Sequence, residues 1–402
     1  MKKIMIIGAG LLQSFVIKRA KELGYKTVCV DANPNAIGFK YADDFKVINI
    51  TDKEACIEYA KEMKIDGVLT AATDYGVLTT SYIAQEMNLN GNKYEVCEII
   101  KNKYRTRKLL ADNNVDSMTE FYEVANINQV DDILDKISLP VIVKPCDGSG
   151  SRGIKKILDK SELKDACKEA LECSLSKKVL IEQFIEGNEY GVESFVVDGE
   201  VNILSIMHKT MTKDPVYAEL GHCSVSGLPL NVEEDIKKKV TKTIKALGIT
   251  TGSVNMDLLI DNKYNIYIVD IGARMGGNLI GSHIIPLSTG IDYMGSIIKL
   301  ALGEKVNLER TIFNNTVSTR LLTLTPGKVK NIKCMRDIEE LDNVEDLILS
   351  IEEESIINEY RSNLDSCGYI VVSDSNDKLA RQLSFELKKE IDKRVIRYWN
   401  EA

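Results

Sequence analysis

Ser253–Asn278, SVNMDLLIDNKYNIYIVDIGARMGGN, is the stretch on which the reading of this chain turns. The runs Val254–Ile260 and Tyr264–Ile268 are rich in β-branched and aromatic residues, and the Asp261-Asn262-Lys263 turn between them favours antiparallel pairing. Such a hairpin brings Asp257 and Asp270 close together. Two acids so placed repel unless a cation sits between them, and Mg²⁺ completed by phosphate oxygens is the usual solution. Arg274 follows the second acid and adds a fixed charge suited to gripping a phosphoryl group. Both aspartates are embedded in apolar stretches, where an unpaired charge is expensive, so ordinary surface acids are the weaker reading.

Two further passages point the same way. Leu139–Lys144 (LPVIVK) reads as a short buried strand ending on a lysine, and PCDGSGSRG (145–153) follows before another apolar run. Strand, Gly/Ser loop, strand describes a flap whose backbone N–H groups close over phosphate oxygens, with Lys144 as a point charge beneath. The order GxxxxGK[ST] is absent, so this is not a Walker A loop. Val179–Ile185 (VLIEQFI) is an apolar strand, followed by Glu186-Gly187-Asn188-Glu189 and a second strand, Tyr190–Val197. The strand-to-loop junction at Glu182, Gln183, Phe184 and Ile185 offers main-chain groups to an adenine edge. Glu189 is placed to accept hydrogen bonds from ribose hydroxyls.

Taken in order, Lys103, Lys144 with its flap (Ser149, Gly150, Ser151, Gly153), Glu182-Gln183-Phe184-Ile185, Glu189, Asp257, Asp270 and Arg274 resemble the ATP-grasp superfamily of carboxylate–amine ligases over nearly the whole chain. Within it the chain looks most like the amino-acid-ligase branch, because Tyr217-Ala218-Glu219-Leu220-Gly221-His222 is similar to an E-x-G-H element near that branch's acceptor site. The resemblance implies ATP with Mg²⁺, or Mn²⁺ in its place, and Lys103 as a phosphate contact. It implies a reaction in which a carboxylate attacks the γ-phosphate and an amine then displaces phosphate from the acyl phosphate. Arg274, Lys144 and His222 would be the catalytic groups. Glu219, His222 and Arg274 would face the substrates. The pattern departs from the family at three places: both metal positions are Asp instead of Glu, and the Asn two residues after the second is Gly272. Asn278 is the candidate to replace that amide as a metal ligand.

At 402 residues the chain calls for two to four subdomains. The expected class is α/β and α+β: a Rossmann-like domain over 1–100, a two-lobed ATP-grasp domain over 101–310 with its lid near 115–185, and a small C-terminal α/β subdomain over 311–402 without obvious chemistry. The opening strand, Gly8, Gly10 and a helix to about Leu23 resemble a dinucleotide fold, but Gln13 stands where a third glycine is expected, which favours a scaffold over a cofactor site. Ligands collect at the carboxyl ends of strands in such sheets, which places Asp74 at the central cleft as a substrate contact.

A net charge of −8 without basic blocks argues against nucleic acid, and no apolar run is long enough to cross a membrane. The start MKKIMIIGAG lacks a cleavage site, and nine scattered cysteines without CxxC spacing read as reduced thiols, both pointing to the cytoplasm. The partners expected are a small-molecule carboxylate and amine, with a homodimer left open. Of three histidines, His208 and His283 read as structural and His222 as an even choice between structure and function. The rivals are a bicarbonate-activating carboxylase, an inactive ATP-binding regulatory protein, and a nicotinamide-dependent oxidoreductase resting on Gly8 and Gly10 alone.

Overall fold

Alternation along the central strands decides which way the molecule faces. In Gly252–Ile260 the residues Val254, Met256 and Leu258 are fully buried. They pack with Val232, Ile236, Val240 and Ile244, the apolar stripe of helix Leu230–Leu247. Strand geometry turns Asn255 and Asp257 to the other face, which lines a cavity. The neighbouring strand Asn188–Val197 repeats the pattern: Val192 and Val196 lie with the helix, and Glu189 faces the cavity. The computed structural model describes residues 1–398 apart from 117, 119, 149–151 and 215.

These strands belong to an eight-stranded antiparallel sheet in the order Ile266–Gly272, Gly252–Ile260, Asn188–Val197, Glu200–Met211, Glu219–Cys223, Thr316–Leu321, Gly368–Asp374 and Val344–Leu349. The expected hairpin is its edge, with Asp257 opposite Asp270 in register. Asp261 caps the turn, accepting from the N–H groups of Lys263 and Asn265 at 2.8 Å each. The lid is a four-stranded antiparallel sheet of Phe121–Val124, Val179–Gln183, Val141–Pro145 and Lys155–Ile157, backed by helix Leu163–Cys173.

The N-terminal domain is a four-stranded parallel sheet ordered Asp44–Val47, Lys26–Asp31, Lys3–Ile7, Gly67–Thr70. Its glycine loop is filled by the chain itself. The buried Gln13 amide donates to Ala71 O at 2.5 Å, and Gln13 Oε1 lies 2.9 Å from where a Gly10 Cβ would be. Asp31 accepts from Ala9 N at 2.8 Å. The groups that a dinucleotide would use are thus engaged internally, in keeping with a scaffold.

Three strands of 311–402 continue the central sheet, with Thr316–Leu321 pairing directly with Glu219–Cys223. Only the small sheet of Ile356–Ile357, Gly327–Ile332 and Val395–Tyr398 stands apart. All nine cysteines are unpaired, and among the described residues no helix is long and apolar enough to cross a membrane.

Candidate active site

The cavity measures about 760 Å³ and lies between the central sheet, the lid and the carboxyl ends of the N-terminal strands. Every described candidate except Gly153 lines it. Gly153 has φ +68°, and a Cβ there would come within 3.0 Å of Cys173 Cβ, so it serves lid packing and does not reach the cavity. Ser149, Gly150 and Ser151 lie outside the described residues.

Asp257 and Asp270 face each other across the hairpin, and each rests on a lysine. Asp270 Oδ1 is 2.6 Å from Lys103 Nζ, and Asp257 Oδ1 is 2.9 Å from Lys209 Nζ. Asn102 caps the helix that starts at Lys103, accepting from Arg105 N at 3.0 Å, and so aims the lysine at the cavity. Burial pushes the Asp257 carboxyl up; Lys209 opposes that shift and Glu219 adds to it. The second oxygen of each aspartate makes no hydrogen bond among the described residues. Two hard oxygen donors fit a divalent ion whose shell phosphate oxygens and water complete. Among the described residues no three acidic, His or Cys side chains converge to hold an ion by themselves.

Arg274 is held more firmly than its role as a phosphoryl grip suggested. Its Nε and Nη2 donate to the two oxygens of Asp74 at 2.9 and 3.0 Å, and Nη1 donates to Asn255 Oδ1 at 3.3 Å and Met275 O at 3.4 Å. Burial alone would push Asp74 up, but the Arg274 charge and bidentate bonds hold it well below the carboxylate range. This pair also accounts for Gly272. A Cβ there would sit 3.0 Å from Arg274 Cζ and 3.1 Å from Asp74 Oδ1. Asn278 does not replace the missing amide: its Nδ2 donates to Glu219, and its Oδ1 accepts from Tyr369 OH at 3.2 Å.

The lid end is a closed ion network. Glu182 takes Lys144 Nζ at 2.5 Å and Arg107 Nη2 at 2.9 Å, Arg107 reaches Asp116 at 2.9 Å, and Lys239 meets Asp116 at 3.1 Å. Lys144 therefore stands in the wall on Glu182 and donates to Val269 O at 3.3 Å. The adenine-edge expectation narrows as well. Glu182 lies mid-sheet with partners on both sides, Gln183 N donates to Glu120 O, and Phe184 N donates to Pro140 O. Ile185 N alone of these four amides has no hydrogen bond among the described residues.

At the opposite end Glu219 is bound on all sides. Its Oε1 meets Lys209 at 2.6 Å, and its Oε2 accepts from Asn278 and from Asn363 Nδ2 at 3.0 Å. Tyr360 OH donates to its carbonyl. His222 Nε2 lies 3.6 Å from Glu219 Oε1, and His222 Nδ1 is buried without a partner among the described residues. Burial lowers the imidazole pKa, against Glu219. Beneath Arg274, the fully buried Glu193 accepts from Tyr293 OH at 2.5 Å, Asn255 Nδ2 at 2.9 Å and Gly276 N at 3.1 Å. Burial pushes this carboxyl up to about 7 despite those bonds.

Sequence reasoning missed Lys209, Arg107, Asn255, Glu193 and the C-terminal Tyr360, Asn363 and Tyr369. A signal existed for two of them. Lys209 and Glu193 interrupt apolar strand runs, where a charge must find a partner. His208 lines the cavity edge-on to the Tyr190 ring at 5.6 Å, and His283 binds Ser282 and Asp346.

Comparison with known proteins gives this geometry a context. Residues 137–282 match the model of an ATP-grasp domain, and residues 1–91 match that of a ribonucleotide synthetase preATP-grasp domain. A relative from Sinorhizobium fredii, uncharacterized protein y4rH, is 26% identical over 88% of this chain and 75% of its own length. The formate-dependent phosphoribosylglycinamide formyltransferase of Prochlorococcus marinus is 26% identical over 63% of this chain and 64% of its own. The chain spans 26% of the carbamoyl phosphate synthase large chain of Caldanaerobacter subterraneus, at 24% identity over 71% of this chain. In fold, the chain resembles the L-amino acid ligase of Bacillus licheniformis, with TM-score 0.84, 24% identity and 99% of each chain covered. It also resembles the phosphoribosylglycinamide synthetase of Anaerococcus prevotii, with TM-score 0.78, 24% identity and coverage of 99% and 100%.

Proposed function

Because the chain carries a preATP-grasp domain followed by an ATP-grasp domain, we propose that it is an ATP-dependent carboxylate–amine ligase with an amino acid among its substrates. The observation that carries this reading is the arrangement of one cavity. The Asp257–Asp270 pair, the Arg274–Asp74 pair and the Glu219–His222 segment follow one another along its wall.

Adenine enters under the lid, with Ile185 N as the free main-chain donor. Lys144 and Lys103 lie along the path of the phosphates, so cationic charge is in place before nucleotide arrives. A divalent ion, when bound, neutralises phosphate oxygens and would be held by Asp257 and Asp270. The substrate carboxylate attacks the γ-phosphorus and the bond to the β,γ-bridging oxygen breaks, giving an acyl phosphate and ADP. The remaining Nη2–H of Arg274 is oriented by Asp74 and Asn255 to meet the charge that develops. The amine then attacks the acyl carbon, phosphate leaves, and the amine's proton must be taken up. His222 lines the cavity and burial favours its uncharged form, which suits it to that task.

The reading as an inactive protein rested on Gly272, and that residue is accounted for by the space the Asp74–Arg274 pair occupies. The test is phosphate release from ATP with amino acids supplied singly and in pairs, with Asp257→Asn and Asp270→Asn alongside. Release that requires two substrates together, lost by about 100-fold or more in both variants, is expected. Release on bicarbonate alone would make the protein a carboxylase, and nucleotide binding without release under any condition would return the inactive reading.

A further inference from the structure

Lys209 holds three carboxylates at once. Its Nζ lies 2.6 Å from Glu219, 2.9 Å from Asp257 and 3.4 Å from Glu189, with only 2% of the side chain exposed. Reaching Asp257 is not trivial. Lys209 stands on Glu200–Met211 and Asp257 on Gly252–Ile260, with Asn188–Val197 running between them. Two strand spacings amount to about 9.6 Å, and a side chain on the middle strand would obstruct the crossing. Opposite Asp257 the middle strand carries Gly191. A Cβ there would be in van der Waals contact with Lys209 Cδ, at 3.7 Å, so the lysine stem runs directly over this bare backbone.

The charges around it are unequal. Glu189, Glu219 and Asp257 share one ammonium, which leaves a surplus of two negative charges, the amount that one divalent ion offsets. A second ion would find little to hold it. Gly272 offers no side chain beside Asp270, its Cβ direction is closed by Arg274 and Asp74, and the Asn278 amide is committed to Glu219 and Tyr369. We infer that Lys209 is a built-in cation of the phosphoryl-transfer site that supplies the charge a second divalent ion would bring, so that the site takes one such ion with its nucleotide. The ammonium and the single ion together meet the charge that develops on the transferring phosphoryl oxygens. This inference rests on the ATP–Mg²⁺ reading above, and it is independent of which carboxylate and amine are joined.

The test counts ions on the full-length chain. Mn²⁺ is titrated by electron paramagnetic resonance in the presence of a non-hydrolysable ATP analogue, for the wild type, Lys209→Met and Lys209→Arg. One Mn²⁺ per chain is expected for the wild type and Lys209→Arg. Two are expected for Lys209→Met, where phosphate oxygens of the analogue complete a site that the vacated carboxylates do not make by themselves, with turnover lowered by about 100-fold. Two ions on the wild type overturn the inference, and so does a single ion on both the wild type and Lys209→Met. A bound analogue with no Mn²⁺ removes the metal premise itself, which separates failure of the functional reading from failure of this one. Should Lys209→Met not fold by circular dichroism, Lys209→Gln removes the charge while keeping a hydrogen-bonding head and is expected to give the same count of two.

Discussion

Two buried glutamates, one in the cavity wall and one beneath it, stand in opposite electrostatic states. Glu182, at the lid end, lies between Lys144 and Arg107; burial pushes it up, but the two cations outweigh burial and hold it below the ordinary carboxylate range. Glu193, under the Arg274 loop, has a tyrosine hydroxyl, an amide and a peptide N–H as donors but no cation bonded to it, and burial pushes it up to about 7. Burial is shared and does not decide the outcome. What differs is whether a full positive charge touches the carboxylate, since neutral donors recover only part of what water supplied. The lid network is therefore a structural brace in which three cations hold two carboxylates, one positive charge in excess. The far end is left with groups whose ionisation remains open to change, which is the condition that chemistry requires.

The strongest way to break the contrast is Arg107→Met. It strips a cation from two buried carboxylates, Glu182 and Asp116, and is expected to cost about 3–5 kcal/mol of stability. Removing the exposed Lys237 from its pair with Glu234 is expected to cost less than about 1 kcal/mol. Urea unfolding of the two variants side by side checks this, and equal midpoints would mean that the lid network is not a brace.

The second effect is one of pH. Glu193 has a folded pKa near 7 against an ordinary value of 4.5, so between those values the native state binds more protons than the unfolded one. Its contribution to stability is fully present below about pH 4.5 and is lost as pH rises through about 7, for a total of about 3 kcal/mol. Glu193→Gln is expected to flatten that part of the profile, read from unfolding midpoints at pH 5 and pH 8. An unchanged slope would place the titration elsewhere. Glu182, with its pKa lowered, contributes in the opposite sense: its part is present above its ordinary value and lost on acidification.

The smallest effect sharpens the far end alone. Asn363→Ala removes one hydrogen bond to Glu219, worth about 1 kcal/mol. It is expected to raise KM for the amine by roughly 5-fold while nucleotide affinity stays within about 2-fold. Isothermal titration with ATP analogue and steady-state assays on the same preparation separate the two. A parallel loss of nucleotide affinity would assign Asn363 to the cavity as a whole and not to the acceptor end.

Much of the site was legible because its signals are local. The period of two along Gly252–Ile260 and Ile266–Gly272, with turn chemistry at Asp261, sets Asp257 against Asp270 without help from the rest of the fold. The strand before the flap, the junction at Ile185 and the helix opened by Asn102 follow from the same short-range preferences. Tertiary structure alone decided which charge neutralises which. Asp74 meets Arg274 across 200 residues and Asn363 meets Glu219 across 144, while Lys209 reaches Asp257 past Gly191 on the strand between them. A Coulomb pair depends on distance in space and on the water excluded around it, and neither quantity is carried by periodicity, propensity or spacing along the chain.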